Sequence, residues 1–437
     1  MRGVATIAVA VVACALFAGE ARASGALESV ASQAAKGIGK TPPSAMVVSA
    51  PLTTDMPAPR GEELAARIAQ LVAGSMGGAT RAHPQTSTLA QARAIAAKGS
   101  DLVFVQPAIE KGTLRVTTDV YAVVANGWDR VRDPTPPPRA HAFAQAPIDA
   151  EVRAFLASIP LEHASVHRAK HDEGDVLAVT CGDLDGDGGM ELALVSRARV
   201  AVGQIVNGKF VPRRTAAWSA LASRAPVPMR EAIGGASIVN DGERSKLLVG
   251  TTDRGGVALD ASLSLEGALR GVPIAASEDA CVVPGAGGNA FEGDAVACAS
   301  GASPSVKRFP SPAARCDAMA AFDVVRPDGS VRAAAIAREP SGKLDVRFGE
   351  ATRAIDGVGA QVALADLDQD GSPEIVTSAL DGDDAITVWS WDGATDPRER
   401  LRLPAPGGVR ALCTCPPEAG GSPALVAVVD GEVWIVR

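Results

Sequence analysis

Apolar and polar positions follow two regimes along the chain. From residue 44 to 131, segments of helical and strand-like period alternate. Residues 45–52 read as a strand, and 62–72 as a helix carrying Leu64, Ile68, Leu71 and Val72 on one face. Residues 89–98 give a second helix stopped by Gly99, residues 101–106 a strand, and 113–124, after the Lys111-Gly112 turn, its hairpin partner. These elements predict a small α/β domain over 44–131. Ahead of it, residues 24–43 are small, polar and proline-terminated and read as a flexible leader. Behind it, residues 132–150 contain a run of prolines ending at Pro138 and read as a stiff linker.

From about residue 175 another unit takes over. The segments 176–196, 232–252, 280–300, 318–339, 361–380 and 409–430 each read as a strand, a turn with Asp or Gly, and a second strand rich in Val, Ala and Leu. A period of roughly 45 residues with about four strands each is that of propeller blades, because one blade cannot bury its faces alone whereas a closed ring can. The expected fold is therefore mainly β: a six-bladed β-propeller over 151–437, preceded by the small α/β domain. After 424–429 only one more strand fits before Arg437. Residues 161–170, upstream of the first blade, are expected to supply the missing outer strand and fasten the ring.

Two of the repeats carry the same carboxylate layout. Asp183-Leu-Asp185-Gly-Asp187-Gly-Gly189-Met-Glu191 and Asp366-Leu-Asp368-Gln-Asp370-Gly-Ser372-Pro-Glu374 place acids at positions 1, 3, 5 and 9 of a loop whose sixth residue is glycine. Acidic oxygens so spaced can wrap a hard cation that takes six to eight oxygen ligands, and the glycine permits the sharp turn. An EF-hand would close with glutamate at position 12, where this chain has Leu194 and Thr377. The loops are thus expected between strands, and Ca2+ at two sites. Asp-Gly turns with solvated charge are the plainer alternative; like charges packed within one turn repel unless a cation neutralises them.

The Asp-x-Asp-x-Asp-Gly-x-x-Glu loop after an apolar strand resembles the FG-GAP, or VCBS, repeat of integrin α-like propellers and many bacterial exported proteins. The resemblance implies calcium held by Asp183, Asp185, Asp187 and Glu191, and by Asp366, Asp368, Asp370 and Glu374, with the carbonyls of Gly189 and Ser372 helping. Blades two and four, with Asn240-Asp-Gly-Glu243 and Pro327-Asp-Gly-Ser330, lack enough acids for further sites. The order helix, Ala-Lys-Gly-Ser-Asp-Leu-Val step and long hairpin over 44–131 resembles the amino-terminal domain of TolB-type periplasmic proteins.

Residues 1–23 read as an export signal: Arg2, an apolar core from Val4 to Phe17, and Ala21-Arg-Ala23 before Ser24. The lipobox-like Val11-Val-Ala-Cys14 is the rival, with a lipid anchor at Cys14. No later segment has the roughly 20 apolar residues of a membrane span. The expected location is periplasmic or extracellular, or the outer membrane if Cys14 is lipidated. Without Cys14, six cysteines remain, an even number suited to disulfides in an exported protein. Cys281 and Cys298 fall on paired strands of the third repeat and are the disulfide candidates. Cys413 and Cys415 are expected on opposite sides of a strand, with Cys181 or Cys316 a distant partner.

A net charge of −8 and few aromatics argue against nucleic-acid binding. Gly37-Ile-Gly39-Lys40-Thr41 ends like a phosphate loop, but Pro42-Pro43 forbids the helix that would hold phosphate. His163, His167 and His171 would line one face of a helix. On the expected closing strand, however, neighbours four apart are separated by about 13 Å, too far to share a zinc ion. No nucleophile elbow, zinc-protease motif or nucleotide fingerprint is present. The expected function is a non-catalytic scaffold that binds a protein or envelope component. The alternative is a propeller hydrolase or lyase acting on a polysaccharide or glycoconjugate, which requires clustered acids, or an acid with a basic partner, at the ring centre.

Overall fold

A computed structural model describes residues 25–39, 44–96, 100–122, 128, 131, 137–157, 159–222, 231–240, 244–285, 289–299, 307–380, 382–417 and 422–437. The expected export signal with Cys14, the Lys40-Thr41 pair and most of the proline run lie outside those residues.

The amino-terminal sheet grows outward from β1 (Ala45–Ser49), which runs parallel to both β3 (Arg81–Ala82) and β4 (Asp101–Glu110). The short β2 (Thr53–Thr54) also pairs with β4, and β5 (Thr113–Tyr121) and β6 (Ala140–Pro147) extend the sheet antiparallel. Helices α1 (Ala26–Ile38) and α2 (Gly61–Met76) share a core with one face, including Val47, Val105 and Val116. On the other face α3 (Leu89–Ala96) sets Ala92 and Ala96 against Val48, Phe104 and Tyr121.

Two boundaries differ from expectation. The supposed leader contains α1, whose stripe Leu27, Val30, Ala31, Ala34 and Ile38 is buried. Alanine makes up much of that stripe, so its periodicity is faint; yet burying Leu27, Val30 and Ile38 contributes about 1.5–3 kcal/mol apiece. The supposed linker contains β6, in which Ala142, Ala144 and Ala146 are buried and His141, Phe143 and Gln145 face out. The proline run just before it masks this period-two stretch in the sequence. Asp149 ties both ends of the domain together: its Oδ2 accepts from Ala26 N–H (2.7 Å), and its Oδ1 caps α4 (Ala150–Arg153) by accepting from Val152 N–H (3.0 Å).

The regular structure of the rest of the described chain is almost entirely strand, in a propeller-like arrangement. The first sheet consists of β8 (Val176–Gly182), β9 (Glu191–Ser196), β10 (Arg199–Val206) and β11 (Lys209–Ala217), each antiparallel to the next. Similar four-stranded meanders begin at Gly234–Asn240, Ala318–Val325 and Val358–Ala365. The first strands pack side by side around a nearly closed barrel, and Val409–Cys415 returns to β8. The third sheet departs from the expected register. Its first strand is the two-residue Val272–Pro273, so Ala280–Val282 and Ala295–Ala297, expected to be strands one and two, are two and three. A strand that short, ending in proline, carries no readable period.

The final meander holds Val409–Cys415, Ala424–Val429 and Glu432–Val436, and β7 (Val166–Lys170) completes it by pairing antiparallel with the last. Ser165 and Arg437 exchange backbone hydrogen bonds of 2.7 and 3.0 Å just beyond. The strand is shorter than the expected 161–170, because Leu161–His163 forms a 3-10 turn. His163 consequently lies ahead of the strand that carries His167. A covalent link fastens the same seam. Cys181 on β8 is disulfide-bonded to Cys415, and the Cys413 Sγ lies 3.4 Å from that of Cys181. Cys413 and Cys415 therefore share a face, contrary to expectation, as residues two apart on a strand must. Cys281 and Cys298 form the second disulfide, and Cys316 is a buried thiol.

Candidate metal loops and central cavity

Each acidic loop joins the first strand of its sheet to the second. The first leaves β8 at Gly182 and ends where β9 begins at Glu191; the second leaves Val358–Ala365 and ends at Glu374, the start of Glu374–Ala379. The backbone doubles back through left-handed residues at positions 4 and 6: Gly186 (φ 78°) and Gly188 (φ 82°), then Gln369 (φ 58°) and Gly371 (φ 84°). In each loop three carboxylates converge, with one oxygen from every member within 4.8 Å of the others: Asp183, Asp185 and Glu191, and Asp366, Asp368 and Glu374. The residues at position 5 are not part of either group. Asp187 and Asp370 turn their Oδ1 atoms back to accept from Gly189 and Ser372 N–H, both at 2.7 Å.

The first loop lies open to solvent. Asp183 accepts from Gly186 N–H (2.7 Å) and Gly188 N–H (3.0 Å), and Asp185 pairs with Arg214 at 2.7 Å. Only Glu191 is buried; it accepts from Leu184 N–H at 3.0 Å and from Gln204 Nε2 at 3.2 Å.

The second loop is enclosed. Asp366, Asp368 and Glu374 are 8%, 4% and 0% exposed. Glu374 accepts from Leu367 N–H (2.7 Å) and from the Ser390 hydroxyl (2.8 Å). Asp366 accepts from Gly371 N–H through Oδ2 (3.0 Å), while its buried Oδ1 has no partner. Burial, and after it the charge of Asp370, pushes Asp366 up to about 8 and Asp368 up to about 6, with Arg400 pulling Asp368 the other way. Burial and then Asp368 hold Glu374 well above its ordinary value. Three carboxylates this close in a dry place can all ionise only with a counter-cation among them. The orphaned Asp366 oxygen and the all-oxygen donor set fit a hard divalent ion.

Sequence reasoning missed the residues around this second loop. Arg400, from Arg398–Pro404, sits 3.5 Å from Asp368 and also binds Glu162 of the 3-10 turn, holding that carboxyl down to about 2. Gln369 donates from Nε2 to the carbonyl of Ile148 at 3.4 Å. The one local signal was the glutamine itself, where the twin loop has glycine. Among the described residues the histidines form no metal-ligating group.

The first strands enclose a cavity of about 650 Å3. Its wall mixes apolar side chains, among them Leu177, Ile233, Val272, Met319, Val362 and Ala411, with the polar Asn289 and Gln361. Charged side chains gather where these strands begin: Asp175, Glu231, Asp317, Arg197 and Arg410. The acidic loops follow the opposite ends of first strands, so the charged mouth and the loops occupy different faces of the ring.

No protein-family model matches the chain, and no curated protein matches it. Solved structures match it at low similarity. A chain from a mitotic checkpoint complex is 12% identical, covering 66% of this chain and 95% of its own, with a TM-score of 0.32. A chain from the structure of BBS1N in complex with ARL6DN is 10% identical over 76% and 91% (TM-score 0.28), and a glucose dehydrogenase is 9% identical over 64% and 99% (TM-score 0.31).

Proposed function

We propose that this chain is an exported, non-catalytic scaffold: a six-bladed propeller, stabilised by two calcium ions, that binds a protein or envelope component at the mouth of its central cavity. The observation that carries the scaffold reading is the cavity lining, whose charged side chains gather at one rim while apolar side chains such as Leu177, Val272 and Ala411 contribute to the wall. The carboxylates with the most strongly raised affinity for protons lie outside the cavity, in the second loop. Each closed four-stranded unit, with β7 completing the last, supports the blade count. Two disulfides support an oxidising compartment outside the cytoplasm, and among the described residues no helix is long and apolar enough to cross a membrane.

Asp183, Asp185 and Glu191 would hold one ion, and Asp366, Asp368 and Glu374 the other. The cation supplies charge neutralisation, and its role is structural. Elemental analysis of the purified protein, with calorimetry before and after chelation, tests this. Two calcium ions per chain and a lowered melting temperature after chelation are expected; no bound calcium and an unchanged melting temperature would overturn it. For the mouth, Arg410→Glu is expected to abolish capture of the envelope partner while leaving the melting temperature in place.

The enzyme reading draws on one feature, the carboxylates Asp175, Glu231 and Asp317 with Arg410 around the mouth. Turnover of a glycan panel that is lost in Glu231→Gln would favour it over the scaffold.

A further inference from the structure

The second acidic loop touches more than its own sheet. Gln369 reaches the Ile148 carbonyl at the end of the amino-terminal domain. Arg153, on α4, is 8% exposed, has no partner for its Nε, and feels the charge of Asp368. Arg400 bridges the same aspartate to Glu162, ahead of the closing strand. The sixth residue, Gly371, lies so close to Pro327 of the neighbouring sheet that a Cβ there would fall 2.4 Å from the proline Cδ. The first loop has none of this: a Cβ at Gly186 or Gly188 would meet nothing within 4 Å.

Position 4 separates the two loops most sharply. Both need a left-handed backbone there, and the first uses glycine. The second holds glutamine at φ 58°, a conformation that costs a residue with a side chain roughly 1–2 kcal/mol. A residue tolerated against that strain, with its side chain directed at the other domain, points to a function for the side chain.

We propose that the second loop is the joint fixing the α/β domain to the propeller, and that a divalent cation bound by Asp366, Asp368 and Glu374 holds this joint closed. The inference rests on the cation-site reading above. Around the joint, the carboxylates of Glu162, Asp366, Asp368, Asp370 and Glu374 outnumber the guanidinium groups of Arg153 and Arg400. A divalent ion therefore moves the assembly toward neutrality while Arg153 remains docked. Gln369 is a positioning residue, linking the loop to Ile148.

Trypsin cleavage after Arg153, buried while the joint is closed, reports its opening in the full-length protein. At calcium about ten times its dissociation constant, binding should suppress the open population, and cleavage with it, roughly ten-fold relative to chelator. Asp183→Asn should remove one calcium and leave cleavage unchanged, whereas Asp366→Asn should cleave in calcium as fast as the wild type does in chelator. Gln369→Gly should keep both ions yet cleave several-fold faster, without depending on the stability of a ligand variant. If calcium binds and is lost in Asp366→Asn while cleavage stays constant throughout, the joint is refuted and the metal site stands. If elemental analysis finds no ion at the second loop, both fall.

Discussion

The two acidic loops share a spacing, a backbone path and a place in their sheets, yet their surroundings make them different objects. In the first, Asp183 is satisfied by two backbone N–H groups and Asp185 by Arg214, and water reaches most of the turn. In the second, three enclosed carboxylates press on one another and Asp366 keeps an oxygen with no partner. A motif of this kind therefore specifies where acids converge, while the neighbours decide how much the convergence costs without a cation. By this reasoning the first loop would tolerate the lack of a cation and the second would not.

The largest expected effect separates the loops by pH. With calcium chelated, the raised values at Asp366 and Asp368 mean that the folded state binds more protons than the unfolded chain between about pH 4 and pH 8. The second loop's contribution to metal-free stability should therefore fall by several kcal/mol as pH rises from 4 to 8. Urea unfolding in chelator at both pH values measures this. The slope should survive Glu191→Gln and be reduced by Asp366→Asn, most of all above pH 6, with Asp368 and Glu374 keeping the remainder; a slope that disappears with the first-loop variant instead would reverse the comparison.

Next in size are the two closing glutamates. Glu374→Ala strips a buried N–H and the Ser390 hydroxyl of their acceptor and opens a void, for an expected loss of about 3 kcal/mol or more in calcium. Glu191→Ala, in the loop whose turn lies open to solvent, should lose about 1–2 kcal/mol, and chemical denaturation of both variants decides the ranking. Cutting the seam with Cys415→Ser should cost about 2–4 kcal/mol unless Cys413 takes over the bond to Cys181, which mass mapping of the disulfides would reveal. The smallest effect is expected at Arg214→Ala, where a partly exposed ion pair is worth about 0.5 kcal/mol by thermal melting.

Legibility in the sequence followed the strength of the local signal. The loops could be read because turn chemistry leaves fixed residues at fixed offsets, and the closing strand because a three-strand final unit needs a fourth. Helix α1 was hidden by its alanines and β6 by the prolines before it: both are weakly patterned pieces whose burial is decided by the sheet they meet. The three-cysteine cluster depends on two first strands far apart in the chain being neighbours at the seam, which no local pattern contains. The enclosure of the second loop is likewise tertiary. Apart from Gln369, nothing near Asp366 announces that Arg153, Glu162 and Arg400 converge on it.

The pairing of β7 with Glu432–Val436 has a consequence for how the molecule is made. During synthesis β7 emerges early and, apart from a single bridge to β11, stays an unpaired edge until Glu432–Val436 has followed it. Such a long-range partner slows folding, so for that interval the nascent protein presents a template for misassembly that a holding chaperone would have to shield.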